Sequence, residues 1–545
     1  MKQDRRILGF LFIIGIAVSL FTAGAKAQRR ERLVEAWQPE HFDVNLALAS
    51  DLSKIDSATT TISVIVRGTA VTTIDLDFGK LPVSEVKVNG KVAQFRQHDT
   101  KLDVSLAAPA AKDQRIKISV TYAGIPEDGL ILTKDNDGNP SAIGDNWADR
   151  VHNWIPCLDH PSAKASVRFA VTVANEYVVV ANGFPVSAET NMNGTKTWVF
   201  DEIKPVSPYN MVVAVGKFAT AQVAGATPIP IAYYVVPSKQ GFAAQGFSPA
   251  PPSIVTFSNL IAPYPYKKLA LIVGATRFGG MENANTIVFA ADFFANFLTA
   301  KRKSPRFNMP AGREETIAHE IAHQWFGDSV TESTWADLWL SEGFATYFAG
   351  VFLEKNEGRE AFLTYMREKA TNYFAYEKQR SAPIHDVTTE NLFDLLNPNN
   401  YEKGGWVLHM LRGRLGDKVF FAGLCAYYRE HKESTATTED LRSALERASG
   451  RNLKAFFDRW VYKAGHPVYK ITWEPVGRGR TRLTLSQEQP SEAFTDPVTV
   501  ELKGATTRRF VIRPAGKVAV IVVRRGRLKG VVVDPNEVIL KEVVN

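Results

Sequence analysis

The stretch His319–Tyr347 reads HEIAHQWFGDSVTESTWADLWLSEGFATY. Ile317, Ile321, Trp325 and Phe326 surround His319 and His323 at helical spacing, so ETIAHEIAHQWFG (315–327) predicts a buried helix that stops at a glycine. Residues four apart lie one above the other on a helix, and the two imidazoles can therefore point at a single tetrahedral metal ion. Glu320 follows the first histidine and is directed toward the same point without having to bind the metal. Eighteen residues separate His323 from Glu342, which sits in a second apolar, tryptophan-rich segment and would supply a third ligand, leaving the fourth position to water.

Two neutral imidazoles and one carboxylate would leave a zinc ion with net positive charge, which strengthens it as a Lewis acid. Water on such an ion has its pKa lowered to about 7, and a carboxylate placed like Glu320 can take its proton. The competing reading is a surface helix whose histidines are merely polar. Against it stand the apolar neighbours, which would bury two imidazoles and two carboxylates at a cost unless they bound something.

Three further segments accompany this block: GGMENANTIVF (279–289), NNYEKGGWVLHML (399–411) and DNWADRVHNWIPCLDHPSAKASV (145–167). Together they resemble the M1 family of zinc aminopeptidases, the gluzincin group related to aminopeptidase N and leukotriene A4 hydrolase. The resemblance runs from about residue 40 to the end and is most specific between 270 and 410. It implies one zinc ion held by His319, His323 and Glu342, with Glu320 as general base.

GGMEN matches the family's G-A-M-E-N exopeptidase signature with Gly280 in place of alanine, which makes Gly279, Gly280, Met281, Glu282 and Asn283 candidate substrate-binding residues. Glu282 would pair with the free α-ammonium of a substrate; an internal peptide bond offers no cation and would leave that carboxylate buried and unpaired. The glycines suit an extended loop or edge strand that substrate backbone can approach closely. Tyr401, in its Y-E-K-G context, matches the family's catalytic tyrosine, a phenol able to hydrogen-bond the oxyanion of the tetrahedral intermediate. Asp145 aligns loosely with the upstream position that helps hold the amine in many members. Two departures are Asp328, where the family usually carries asparagine, and His160, where it carries glutamate. His152, His160, His385 and His409 are read as surface or locally bonded residues.

At 545 residues the chain is too long for one core. Residues 1–27 combine a basic start (MKQDRR), a 15-residue apolar run (ILGFLFIIGIAVSLF) and small residues before Ala27, the pattern of a cleaved secretory signal peptide. The run is short for a retained membrane span of about 20 residues, and export to the periplasm or the exterior is expected. Removing Lys2, Arg5, Arg6, Lys26 and Asp4 lowers the formal charge from +8 to +5. Most of that excess follows His466, including the run RRGRLKG (524–530), which reads as a solvated hairpin; without interleaved aromatics or an accompanying motif it does not argue for nucleic acid. Cys157 and Cys425, the only cysteines, lie far apart and read as two separate buried thiols.

Period-two alternation in FDVNLAL, ISVIVRG, IDLDFG, LDVSLA and IKISVTY predicts an N-terminal antiparallel β domain over 28–237. The Gly, Ser and Pro-rich stretch 237–253 reads as a connection, and helical patterns then dominate a catalytic domain over 238–465, for which the resemblance implies a thermolysin-like fold. Alternation returns in YKITWEP, RLTLSQ, VTVELKG and RRFVIRP, indicating a C-terminal β-sandwich over 466–545. The fold class is thus multidomain α+β. Larger family members continue into a helical domain that roofs the site, and without it the cleft is expected to be more open.

The expected activity is release of N-terminal residues from peptides with a free amine. A zinc endopeptidase using the same helix, and a zinc-dependent peptide-binding scaffold, are the alternatives. Epoxide hydrolysis, known in one branch of the family, is disfavoured.

Overall fold

A computed structural model describes residues 28–477, 479–524 and 528–544. Residues 1–27, expected from the sequence to be a signal peptide, lie outside the described residues. Among these, no helix is long and apolar enough to cross a membrane.

Alternating segments become strands wherever one face can be buried. Trp37–Leu48 and Ile55–Val66 pair antiparallel at the centre of an eight-stranded sheet, burying Phe42, Val44, Ile62 and Val64. The Asn89-Gly90 pair takes positive φ (50° and 80°) between Val83–Val88 and Lys91–Val92, the geometry a tight hairpin demands. The expectation of a purely antiparallel domain is corrected at one pair: Trp37–Leu48 runs parallel to Ala165–Ala174. Alternation reports which face a residue occupies and carries no information about the direction of the neighbouring strand.

A five-stranded sheet then leads to the helices. Its order is Ala219–Gln222, Ile231–Val235, Leu269–Gly274, Thr286–Ala290 and, at the edge, Gly280–Met281. A boundary at 237/238 therefore divides this sheet, because Ile231–Val235 pairs in parallel with Leu269–Gly274. The stretch taken for a connection is also largely helical. The helices are α1 (Gln240–Gly246), α2 (Ala250–Leu260), α3 (Arg313–His323), α4 (Trp339–Glu357), α5 (Arg359–Glu377), α6 (Gly404–Leu415), α7 (Asp417–His431), α8 (Thr438–Ser449) and α9 (Lys454–Trp460). Pro251 lies in the first turn of α2, where a missing N–H costs nothing, and Gly246 allows close approach of Phe294. Proline and glycine here serve helix initiation and packing.

Helix α8 is capped at both ends: the Thr437 side chain accepts from the Asp440 N–H, the Asp440 carboxylate accepts from the Thr437 N–H, and Gly450 ends the helix at φ 64°. Beyond α9 the chain forms a four-stranded and a three-stranded sheet. Val518–Val523 belongs to the first sheet and Gly530–Val533 to the second; residues 525–527 of the RRGRLKG run read as a solvated hairpin lie outside the described residues. Cys157 is buried, Cys425 is half-buried, and both are free.

Candidate active site

Helix α3 buries Ile317, Ala318, Ile321 and Ala322, and Phe326 just beyond it packs on Phe344 of α4 with ring centroids 4.3 Å apart. This packing brings the two halves of HEIAHQWFGDSVTESTWADLWLSEGFATY together. His319 Nε2 and His323 Nε2 lie 3.0 Å apart, and Glu342 Oε2 lies 3.3 Å from the first and 3.4 Å from the second. Metal–ligand bonds of about 2.0–2.1 Å at tetrahedral angles require ligand atoms about 3.3 Å apart, so the three atoms have the spacing of one face of a tetrahedron. Glu342 Oε2 is buried without a hydrogen-bond partner among the described residues, an orphan that a cation would satisfy.

The second ring nitrogen of His323 supports the same assignment. Nδ1 lies 3.2 Å from the Phe326 carbonyl and 3.0 Å from Ser341 Oγ, which leaves Nε2 free to ligate. Burial pushes His319 down to about 4 and keeps it neutral. Glu342 is also buried, but the two histidines outweigh that burial and hold its carboxyl well below the usual range. Gly327 (φ 125°) turns the chain tightly enough that a Cβ there would lie 2.5 Å from Ser341 Oγ.

Glu320 and Glu282 converge from the other side: their carboxylate oxygens and a His323 ring nitrogen all lie within 4.8 Å of one another. Burial raises Glu320 to about 8 and Glu282 to about 7. The edge strand Gly280–Met281 passes so near α3 that a Cβ on Gly280 would sit 2.2 Å from Glu320 Oε1. Tyr401 lies in a wide π-helical turn, Asn399–Lys403, leading into α6, and stacks on His319 at 6.0 Å. Burial and the facing Glu342 carboxylate hold its phenol well above the ordinary range, so it remains a proton donor. The cleft encloses about 350 Å³ and is lined by Gly279, Gly280, Glu282, His319, Glu320, His323, Glu342 and Tyr401, among others.

Not every expected residue reaches it. Met281 is packed in an apolar cluster with Trp147 and Trp335, and Asn283 is fully buried behind it, so both shape the turn without lining the cleft. Asp145 corrects the sequence reading: its carboxylate is engaged by Arg150 Nη2 (3.0 Å), Thr276 Oγ1 (3.1 Å) and the Arg277 N–H (3.3 Å), bracing the loop that enters Gly279. His152, His160, His385 and His409 do not line the cleft. His160 is buried against Glu31 and Ser162, and the buried His409 donates from Nε2 to the Glu537 carbonyl at 2.9 Å.

Sequence reasoning missed Gln324. Its amide Nε2 donates to the Glu282 carbonyl (2.9 Å), while Oε1 accepts from the Asn285 N–H (2.7 Å) and the Tyr264 hydroxyl (3.1 Å). The side chain thus fastens the GGMEN turn to α3. The available signal was a polar residue directly after His323 at a position that the helical pattern buries.

Two family descriptions match the chain: the peptidase M1 N-terminal domain over residues 38–210 and the peptidase family M1 domain over 254–460. The chain belongs to the M1 peptidase family. Among its relatives, this M1 chain is 26% identical over 455 residues to a leucyl aminopeptidase of Saccharolobus solfataricus, covering 79% of this chain and 55% of that protein. It is 27% identical over 435 residues to the tricorn protease-interacting factor F2 of Thermoplasma acidophilum (76% and 52%). A third, aminopeptidase M1-A of Oryza sativa subsp. japonica, is 31% identical over 330 residues (58% and 36%). The M1 chain thus matches about half the length, or less, of these relatives.

Proposed function

We propose that this protein is a zinc aminopeptidase that releases the N-terminal residue from peptides. The observation that carries the reading is the Glu282 carboxylate, buried directly after the edge strand Gly280–Met281, beside Glu320 and the His319–His323–Glu342 triad. A buried carboxylate there favours a substrate that brings its own cation, and the α-ammonium of a chain terminus is that cation. M1 membership and the aminopeptidase names of the relatives support the same reading.

His319, His323 and Glu342 would hold the zinc. When bound, the ion would polarise the scissile carbonyl and acidify a water molecule. Glu282 fixes the amine, which sets the first peptide bond over the triad. Glu320 takes the proton of the attacking water and returns it to the leaving nitrogen, the task for which a carboxyl near neutrality is suited. Tyr401 donates a hydrogen bond to the carbonyl oxygen as negative charge develops on it. The helical region is read as a thermolysin-like module and the two C-terminal sheets as a β-sandwich. Residues 1–27 are read as an export signal for the periplasm or the exterior.

The deciding experiment offers the purified protein one peptide in free-amine and N-acetylated forms, with and without a chelator. Cleavage of the free-amine peptide alone, abolished by chelation, is expected. Equal cleavage of both forms would instead establish an endopeptidase.

A further inference from the structure

The cleft continues past the triad, and its far wall has a chemistry of its own. Glu282 lies by His323, so a substrate held there by its amine runs from His323 toward His319 and Tyr401. The residue after the released one then meets Glu315, Thr346, Tyr365, Lys369 and Glu402, all of which line the same cleft. Glu315 stands four residues before His319 on α3, directly above it on one helix face. Glu402 follows Tyr401 in the turn that leads into α6, and burial raises its carboxyl, with Lys369 offsetting part of that rise.

The charge of this wall is unbalanced. Two half-buried carboxylates face one ammonium, and Lys369 Nζ lies 4.7 Å from the centre of the Tyr365 ring, whose hydroxyl is tied to the Thr346 carbonyl at 2.9 Å. Among the described residues Glu315 neither accepts a hydrogen bond nor forms an ion pair. Burial raises it, and Lys369 only partly offsets that burial. A carboxylate so placed gains most from a cation delivered by the substrate.

We infer that the far end of the cleft selects peptides whose second residue is basic, with Glu315 as the group that recognises that cation, aided by Glu402 and opposed by Lys369. This rests on the aminopeptidase reading for the direction in which substrate lies.

The test uses tripeptide amides Ala-Arg-Gly, Ala-Ala-Gly and Ala-Glu-Gly, whose blocked ends remove the carboxylate that Lys369 could otherwise attract. On the zinc-loaded protein kcat/KM should fall in that order, with Arg favoured over Glu by about tenfold, the scale of one hydrogen bond to a charged group. Glu315→Gln should shrink that ratio several-fold, and Lys369→Met should widen it. The same order should appear in dissociation constants measured calorimetrically on the zinc-loaded Glu320→Gln protein. A flat or inverted order, or a ratio that Glu315→Gln leaves untouched, overturns the inference while leaving the peptidase reading in place. Tighter binding of the Arg peptide without cleavage by the unmutated protein supports the inference and overturns the peptidase reading.

Discussion

Gly343 and Gly404 meet backbone to backbone: a Cβ on Gly343 would lie 2.9 Å from Gly404 Cα and 3.0 Å from the Asn400 carbonyl oxygen. This contact seats the turn carrying Tyr401 against the helix carrying Glu342. Neither backbone can yield as a flexible side chain would, so Gly343→Ala should cost about 1–3 kcal/mol by overpacking. Because Tyr401 would move with its turn, kcat should also fall by about tenfold to a hundredfold. Urea denaturation and steady-state kinetics on free-amine peptides read the two effects separately.

Replacing Gln324 by Leu removes an amide that serves the Glu282 carbonyl, the Asn285 N–H and the Tyr264 hydroxyl. Orphaning these groups should destabilise the protein by about 1–3 kcal/mol. The GGMEN turn would lose its tie to α3, so KM for free-amine substrates should rise more than kcat falls.

Glu282 and Glu320 separate by role. Glu282→Gln should raise KM for free-amine peptides and narrow the preference over N-acetylated ones. Glu320→Gln should lower kcat by about 10²–10⁴-fold, the usual worth of a positioned acid–base group, with zinc content by atomic absorption unchanged. Full activity in the Glu320 variant would overturn the assigned mechanism.

Chelation should lower the melting temperature and zinc should restore it, since an ion bound only by the folded state stabilises by about 2.7 kcal/mol at a hundredfold excess over Kd. Glu342→Gln, which loses the orphaned ligand oxygen, should show little zinc-dependent shift in a thermal melt.

Glu332 supplies a pH dependence. Both its carboxylate oxygens are buried without a partner among the described residues, and burial, reinforced by Glu282 and Glu342, raises it from 4.5 to about 8. The fold therefore favours the protonated form. That stabilisation is complete below pH 4.5 and is lost as pH rises through about 8. Metal-free protein should weaken across this window, and Glu332→Gln should flatten the slope and be more stable at pH 9 by on the order of 1–3 kcal/mol. Urea midpoints at pH 5, 7 and 9 measure it.

Local periodicity and spacing were enough to place the strands from Trp37 to Tyr122 and the pairing of His319 with His323, because each depends on residues a few positions apart. The same reasoning carried Glu342 only as far as a candidate; the packing of Phe326 on Phe344 is what brings its carboxylate to 3.3 Å and 3.4 Å from the two imidazoles. The parallel pairing of Trp37–Leu48 with Ala165–Ala174, and the sheet that runs through the boundary drawn at 237/238, join segments distant in the chain, where hydrogen-bond partners leave no local trace. Burial decided the rest. Asp145 and Glu282 are both acidic residues that follow a glycine within two positions and precede an asparagine in the sequence, yet Arg150, Thr276 and Arg277 consume the first while the second faces the cleft. Which carboxylate is left free for a ligand depends on the donors that the fold brings to it, and those come from elements far apart in the chain.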